Sequence, residues 1–134
     1  MGGVTTPRPP LIIVDAANVV GSKPDGWWRD RHGATERLRD RLVGLAEIGL
    51  PGIPGPVEVV MVVEGQARHV APSPTVSTEP APRSGDDRIV DLVSEHRGRQ
   101  MTVVTADREL RRRVADLGAD VVGPSALPDA RMGT

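Results

Sequence analysis

Three short apolar runs dominate the hydropathy pattern of the chain. Leu11 to Val14, Val57 to Val63 (VEVVMVV) and Met101 to Thr105 are nearly continuous and rich in β-branched residues. That is the pattern of strands buried on both faces of a sheet. Between them the period changes to that of a helix. Ala34 to Ile48 repeats apolar residues at Leu38, Leu42, Leu45 and Ala46, and Gly49 and Pro51 stop it. Ser84 reads as the N-cap of a helix running to about His96, with Ile89, Leu92, Val93 and His96 on one face. Asp107 to Leu117 places Leu110, Val114 and Leu117 inward and ends at Gly118. Asp120 to Val122 reads as a last short strand. The segment from Ala71 to Arg83 carries four prolines, which leaves only Thr75 to Thr78 for a short edge strand.

Strands alternating with helices predict right-handed crossovers and a mainly parallel sheet covered on both faces, a three-layer α/β/α sandwich. One domain over residues 11–123 is expected, after a leader (1–10) and before a Pro-containing tail (124–134).

Composition narrows the chemistry. The 134 residues include neither Cys, Phe nor Tyr and only two Trp. Disulfides, thiolate nucleophiles and zinc fingers are therefore excluded, as are the aromatic base-stacking sheets of RNA-recognition motifs. Seventeen basic residues against eighteen acidic ones give a net charge of −1, so affinity for a polyanion must come from local clustering. The apolar runs fall short of a membrane span, and the start MGGVTTPRPP lacks the apolar stretch of a signal peptide. The expectation is a cytoplasmic protein with no membrane partner.

In parallel sheets, ligands bind beyond the carboxyl ends of the strands. Each strong strand here runs into an acid: Asp15, Glu64 and Asp107. Asp86 and Asp87 open the helix after Ser84 and add a fourth acidic element. Carboxylates gathered at one edge repel one another unless a cation neutralises them, and an oxygen-only donor set suits a hard ion such as Mg²⁺ or Mn²⁺. The candidate ligands are Asp15, Glu64, Asp86, Asp87 and Asp107, with Asn18 supplying an amide for a phosphate or a metal-bound water. These are the parts of metal-assisted phosphodiester hydrolysis. Purely structural roles exist beside this one. Asp86, Asp87 and Asp107 suit helix starts, Asp15 suits an Asx-turn, and Glu64, followed by Gly65, reads as an exposed turn residue.

Three segments in order carry a family resemblance: Leu11-Ile12-Ile13-Val14-Asp15-Ala16-Ala17-Asn18, Ser84-Gly85-Asp86-Asp87-Arg88-Ile89-Val90, and Val103-Val104-Thr105-Ala106-Asp107-Arg108-Glu109-Leu110. Together they resemble a NYN domain, the YacP-like relatives of PIN-domain nucleases, over nearly all of Leu11 to Val122. The resemblance implies a PIN-like fold and a metal-dependent ribonuclease, with Asp15, Asp86 and Asp107 as the matched acids and Asn18 as the matched amide. Two alanines stand between Asp15 and Asn18 where relatives often carry Gly and an aromatic, and Glu64 stands where Asp is commoner.

RNA contacts are expected from Trp27, Trp28, Arg29 and Arg31, which follow the Asp15/Asn18 loop, and from Arg108 at the start of the last helix. For the Trp pair, packing of the loop onto the next helix competes with base stacking. The leading expectation is an endoribonuclease acting on single-stranded or structured RNA. The alternatives are a catalytically weak RNA-binding or ribosome-associated module and a nucleotide phosphohydrolase.

Overall fold

A computed structural model describes residues 8–128. Residues 1–7 of the expected leader and 129–134 of the expected tail lie outside the described residues. Five parallel strands form the central sheet: β1 (Leu11–Asp15), β4 (Glu58–Val63), β5 (Val76–Pro80), β6 (Met101–Val104) and β7 (Asp120–Val122), in the order β5-β4-β1-β6-β7. Helices α1 (Ala16–Gly21), α2 (Arg31–Arg41) and α3 (Leu45–Ile48) fall between β1 and β4, α4 (Gly85–Glu95) between β5 and β6, and α5 (Arg108–Ala115) between β6 and β7.

The strands divide their side chains between two cores. Ile12 and Val14 of β1, with Val59, Met61 and Val63 of β4, pack against Val19, Leu38, Leu42 and Leu45 from α1 to α3. Leu11 and Ile13, with Met101 and Val103 of β6, pack against Ile89, Leu92 and Val93 of α4 and Leu110 and Val114 of α5. Side chains that alternate along a strand thus feed both helical layers, which is why the strand sequences are apolar at nearly every position. The result is the expected α/β/α sandwich.

β1 lies at the centre, between β4 and β6, and is paired with each in parallel register. The chain builds one half of the sheet through β4 and β5, then returns past β1 to build the other through β6 and β7. Asp15, the last residue of β1, therefore stands where the strand order reverses, the place at which such sheets open a crevice.

Two local expectations need correction. The single helix expected over Ala34 to Ile48 is two, α2 and α3, separated at Leu42 to Gly44. Leu38, Leu42 and Leu45 still face one core, so the apolar stripe survives the break. After α3 the chain forms a small antiparallel hairpin, β2 (Gly49–Leu50) with β3 (Ile53–Pro54), turned by Gly49 and Gly52 with φ near 77° and 80°. At the other end, Leu127 is buried in the first core, so the segment after residue 123 packs onto the domain as far as that residue.

Candidate active site at the carboxyl edge of the sheet

Asp15 anchors the site. It is 4% exposed, and its side chain works at two levels. Its Oδ1 accepts the Asn18 backbone N–H at 3.4 Å, capping α1, while its Oδ2 accepts the Thr105 hydroxyl at 2.9 Å. The Thr105 Oγ1 in turn accepts the Asp107 N–H at 3.1 Å. The Asn18 Oδ1 accepts the Ala106 N–H at 2.8 Å. Two local hydrogen bonds and two that span about ninety residues of sequence thereby lock the loops after β1 and β6 together, with Asp15 and Asp107 joined through one buried hydroxyl. Asn18 thus serves first as a strut between loops. Its Oδ1 is committed, and its amide N–H₂ is the group left for a ligand.

Thr105 is the residue the sequence reading passed over. Fully buried and polar, it orients Asp15 and fixes the backbone that presents Asp107. Its signal was present in Thr105-Ala106-Asp107, a hydroxyl two residues before an acid at a strand end.

Glu64 departs from the exposed turn expected of it. It follows β4, is half-buried, and its Oε2 accepts the Gly85 N–H at 2.7 Å at the start of α4. A Cβ at Gly85 would come within 3.3 Å of the Glu64 carboxylate, so glycine there permits the close approach. The carboxylate also gains from the positive end of the helix dipole.

Asp86 and Asp87 diverge. Asp87 turns to Arg113 at 3.2 Å and is exposed. Asp86 is half-buried and faces the other acids. Its pKa is raised by burial first, then by the charges of Asp107 and Glu64, with Arg113 opposing. Asp15 is pushed up to about 6, chiefly by burial, with smaller upward contributions from Asp86 and Glu64. The Thr105 and Asn18 hydrogen bonds limit that rise. Asp107 caps α5 through its Oδ1, which accepts the Leu110 N–H at 3.0 Å. Asp15, Glu64, Asp86 and Asp107 therefore share one electrostatic neighbourhood, and none of them forms an ion pair among the described residues.

Does this donor set fit a metal? Its chemistry does: the donors are all carboxylate oxygens, none in an ion pair among the described residues, and neighbouring negative charge raises the pKa of Asp15 and Asp86. Its spacing is open, for among the described residues no three Asp, Glu or His side chains stand close enough together to hold an ion. Mg²⁺ commonly keeps several waters and takes one or two carboxylates together with substrate phosphate, so an open acidic edge suits it better than a closed cage.

Of the predicted RNA-contact residues, Trp27 and Arg31 line a cleft that Glu64 also borders. Trp27 and Trp28 meet edge to face at 6.0 Å, in a short 3₁₀ turn. The Arg31 guanidinium lies 5.3 Å from the centre of the Trp27 ring, and that of Arg29 lies 5.9 Å from Trp28. Trp27 is half-buried beside Gly21, whereas Trp28 is 55% exposed. Arg108 is exposed at the first position of α5, next to Asp107.

No protein-family model matches the sequence, and no curated protein does either. Solved structures do. Rae1 (YacP) from Bacillus subtilis superposes with a TM-score of 0.70 at 16% identity, and a tryptophan-to-leucine mutant of it with 0.65 at 17%. The chain has the Rae1 (YacP) fold. Each match covers 87% of this chain and 70% of the Bacillus protein. The Rae1 (YacP) likeness agrees with the YacP-like resemblance read from the three motifs. Those motifs occupy the end of β1, the start of α4 and the end of β6, three of the four places from which the site is built, the end of β4 with Glu64 being the other. No helix among the described residues is long and apolar enough to cross a membrane.

Proposed function

We propose that this protein is a metal-dependent endoribonuclease that hydrolyses RNA phosphodiesters at the carboxyl edge of its sheet. The observation that carries the reading is the burial of Asp15 at the topological switch point, in the field of Asp86 and Glu64 and without a cation among the described residues. An acid placed so costs stability, and folds keep such costs where chemistry needs them.

Asp15 and Asp86 are the ligands assigned to Mg²⁺ or Mn²⁺, with Asp107 and Glu64 completing the negative edge. When bound, the ion would supply activation of a water and charge stabilisation at the leaving oxygen. The chain supplies the rest. Thr105 holds the Asp15 carboxylate through a hydrogen bond, and the Asn18 amide would donate to a phosphoryl oxygen. Arg108, exposed beside Asp107, offers a guanidinium to a neighbouring phosphate.

The test is cleavage of a labelled RNA in Mg²⁺ or Mn²⁺ by wild type and Asp15→Asn. Cleavage that needs the metal and is lost in the variant is expected. The open spacing of the acids favours one second reading, a catalytically weak RNA-binding or ribosome-associated module. Wild type that binds RNA and cuts none in either metal would select it.

A further inference from the structure

Beside the acidic edge, between α1, α2 and the end of β4, lies a cleft of about 400 Å³. That volume sits at the small end of the range for ligand pockets. Its floor is small and apolar, formed by Ala16, Ala17, Val20 and Ala67, and Trp27 lines it as well. Arg31, lying over the Trp27 ring, and Arg83 add two guanidiniums. Neither forms an ion pair among the described residues, whereas Arg88, Arg99, Arg112 and Arg113 are all held by carboxylates. Glu64 belongs both to this cleft and to the acidic edge, so the two are continuous.

An apolar floor of small side chains, with an indole at its side and two guanidiniums outside any ion pair among the described residues, asks for a ligand that is planar at one end and anionic at the other. We infer that the cleft is a subsite for one unpaired nucleotide of the substrate strand. Its base lies against Trp27 and the alanine floor, and a flanking phosphate is held by Arg31 and Arg83. This assignment rests on the ribonuclease reading above and makes the substrate single-stranded at the cut. A paired base cannot leave its stack to enter the cleft without the cost of unpairing. Seated there, the strand would run from the cationic cleft past Glu64 to the carboxylates, so the nucleotide sets which phosphodiester reaches them.

Trp27 makes the subsite directly observable. With no Tyr and only two Trp in the chain, Trp28→Phe leaves Trp27 as the only indole. In this background and in EDTA, a single-stranded octaribonucleotide of mixed sequence should change the Trp27 emission and bind on the order of tenfold more tightly than its blunt duplex. Arg83→Ala should weaken single-strand binding by several fold. Ala17→Phe, which fills the cleft from an exposed helix position and should preserve the circular dichroism spectrum, should remove the preference for the single strand. A silent Trp27 during measurable binding, equal affinity for single strand and duplex, or wild-type binding by Ala17→Phe would overturn the subsite. Because the assay contains no divalent metal, its outcome is independent of catalysis. A protein that cuts RNA with Trp27 silent loses only the subsite, and one that passes this test without cutting in Mg²⁺ or Mn²⁺ loses only the nuclease reading.

Discussion

Two groups of acids in this protein make an instructive contrast. Around the flanks, several acids are answered by a guanidinium: Glu79 and Glu95 share Arg88, Glu58 holds Arg99, Glu109 meets Arg112 and Asp87 meets Arg113. At the carboxyl edge Asp15, Glu64 and Asp107 accept hydrogen bonds from a hydroxyl or backbone N–H groups, and neither they nor Asp86 form an ion pair among the described residues. The contrast separates charge that the chain neutralises itself from charge left for something else to neutralise. Asp86 and Asp87 show it at adjacent positions, since one faces the acidic edge and the other an arginine.

Substitutions on the two sides should therefore behave in opposite ways. The largest effect is expected at Asp15, where Asp15→Asn should lower the rate of RNA cleavage by about 10²-fold or more, measured as kcat under saturating Mg²⁺. Loss of activity should come with a gain in stability. Because the Asp15 pKa of about 6 lies above the ordinary 3.8, the folded state retains a proton that the unfolded chain releases. The contribution of Asp15 to stability should thus be fully present below pH 4, fall as the pH rises towards 6, and be lost above it, a difference of up to about 3 kcal/mol. Asp15→Asn should recover part of that at pH 7 and almost none at pH 4, as read by urea denaturation at the two pH values.

Arg99 tests the other group. Its side chain is nearly buried, donating to Glu58 at 2.6 Å and to the Pro9 carbonyl at 2.8 Å. Arg99→Ala should cost about 2–3 kcal/mol in the same denaturation assay with kcat unchanged. The smallest effect is expected at Asp87, whose pair with Arg113 is exposed. Asp87→Asn should change stability by less than about 1 kcal/mol and leave cleavage intact, whereas Asp86→Asn should impair it.

Much of this arrangement was legible in the sequence because it depends on local pattern. Residues Leu11 to Val14 are apolar throughout since both faces of β1 are covered, and Ser84 and Asp107 cap α4 and α5 where the spacing placed them. The break between α2 and α3 was hidden because Leu38, Leu42 and Leu45 keep one facing across it. Helix α1, six residues long, is too short for its period to register. The role of Glu64 was illegible for a different reason. Its partner is the Gly85 N–H, twenty-one residues away, and nothing local to Glu64-Gly65 encodes that approach. Thr105 and Arg83 take their importance from what the folded chain places beside them.

The most direct measurement is the titration of the Asp15 carboxyl carbon by NMR, with and without Mg²⁺. The account predicts an apparent pKa of about 6 in the metal-free protein, moving to lower pH as Mg²⁺ binds and favours the carboxylate. An Asp15 that titrates like an ordinary aspartate, or whose titration ignores saturating Mg²⁺, would contradict it.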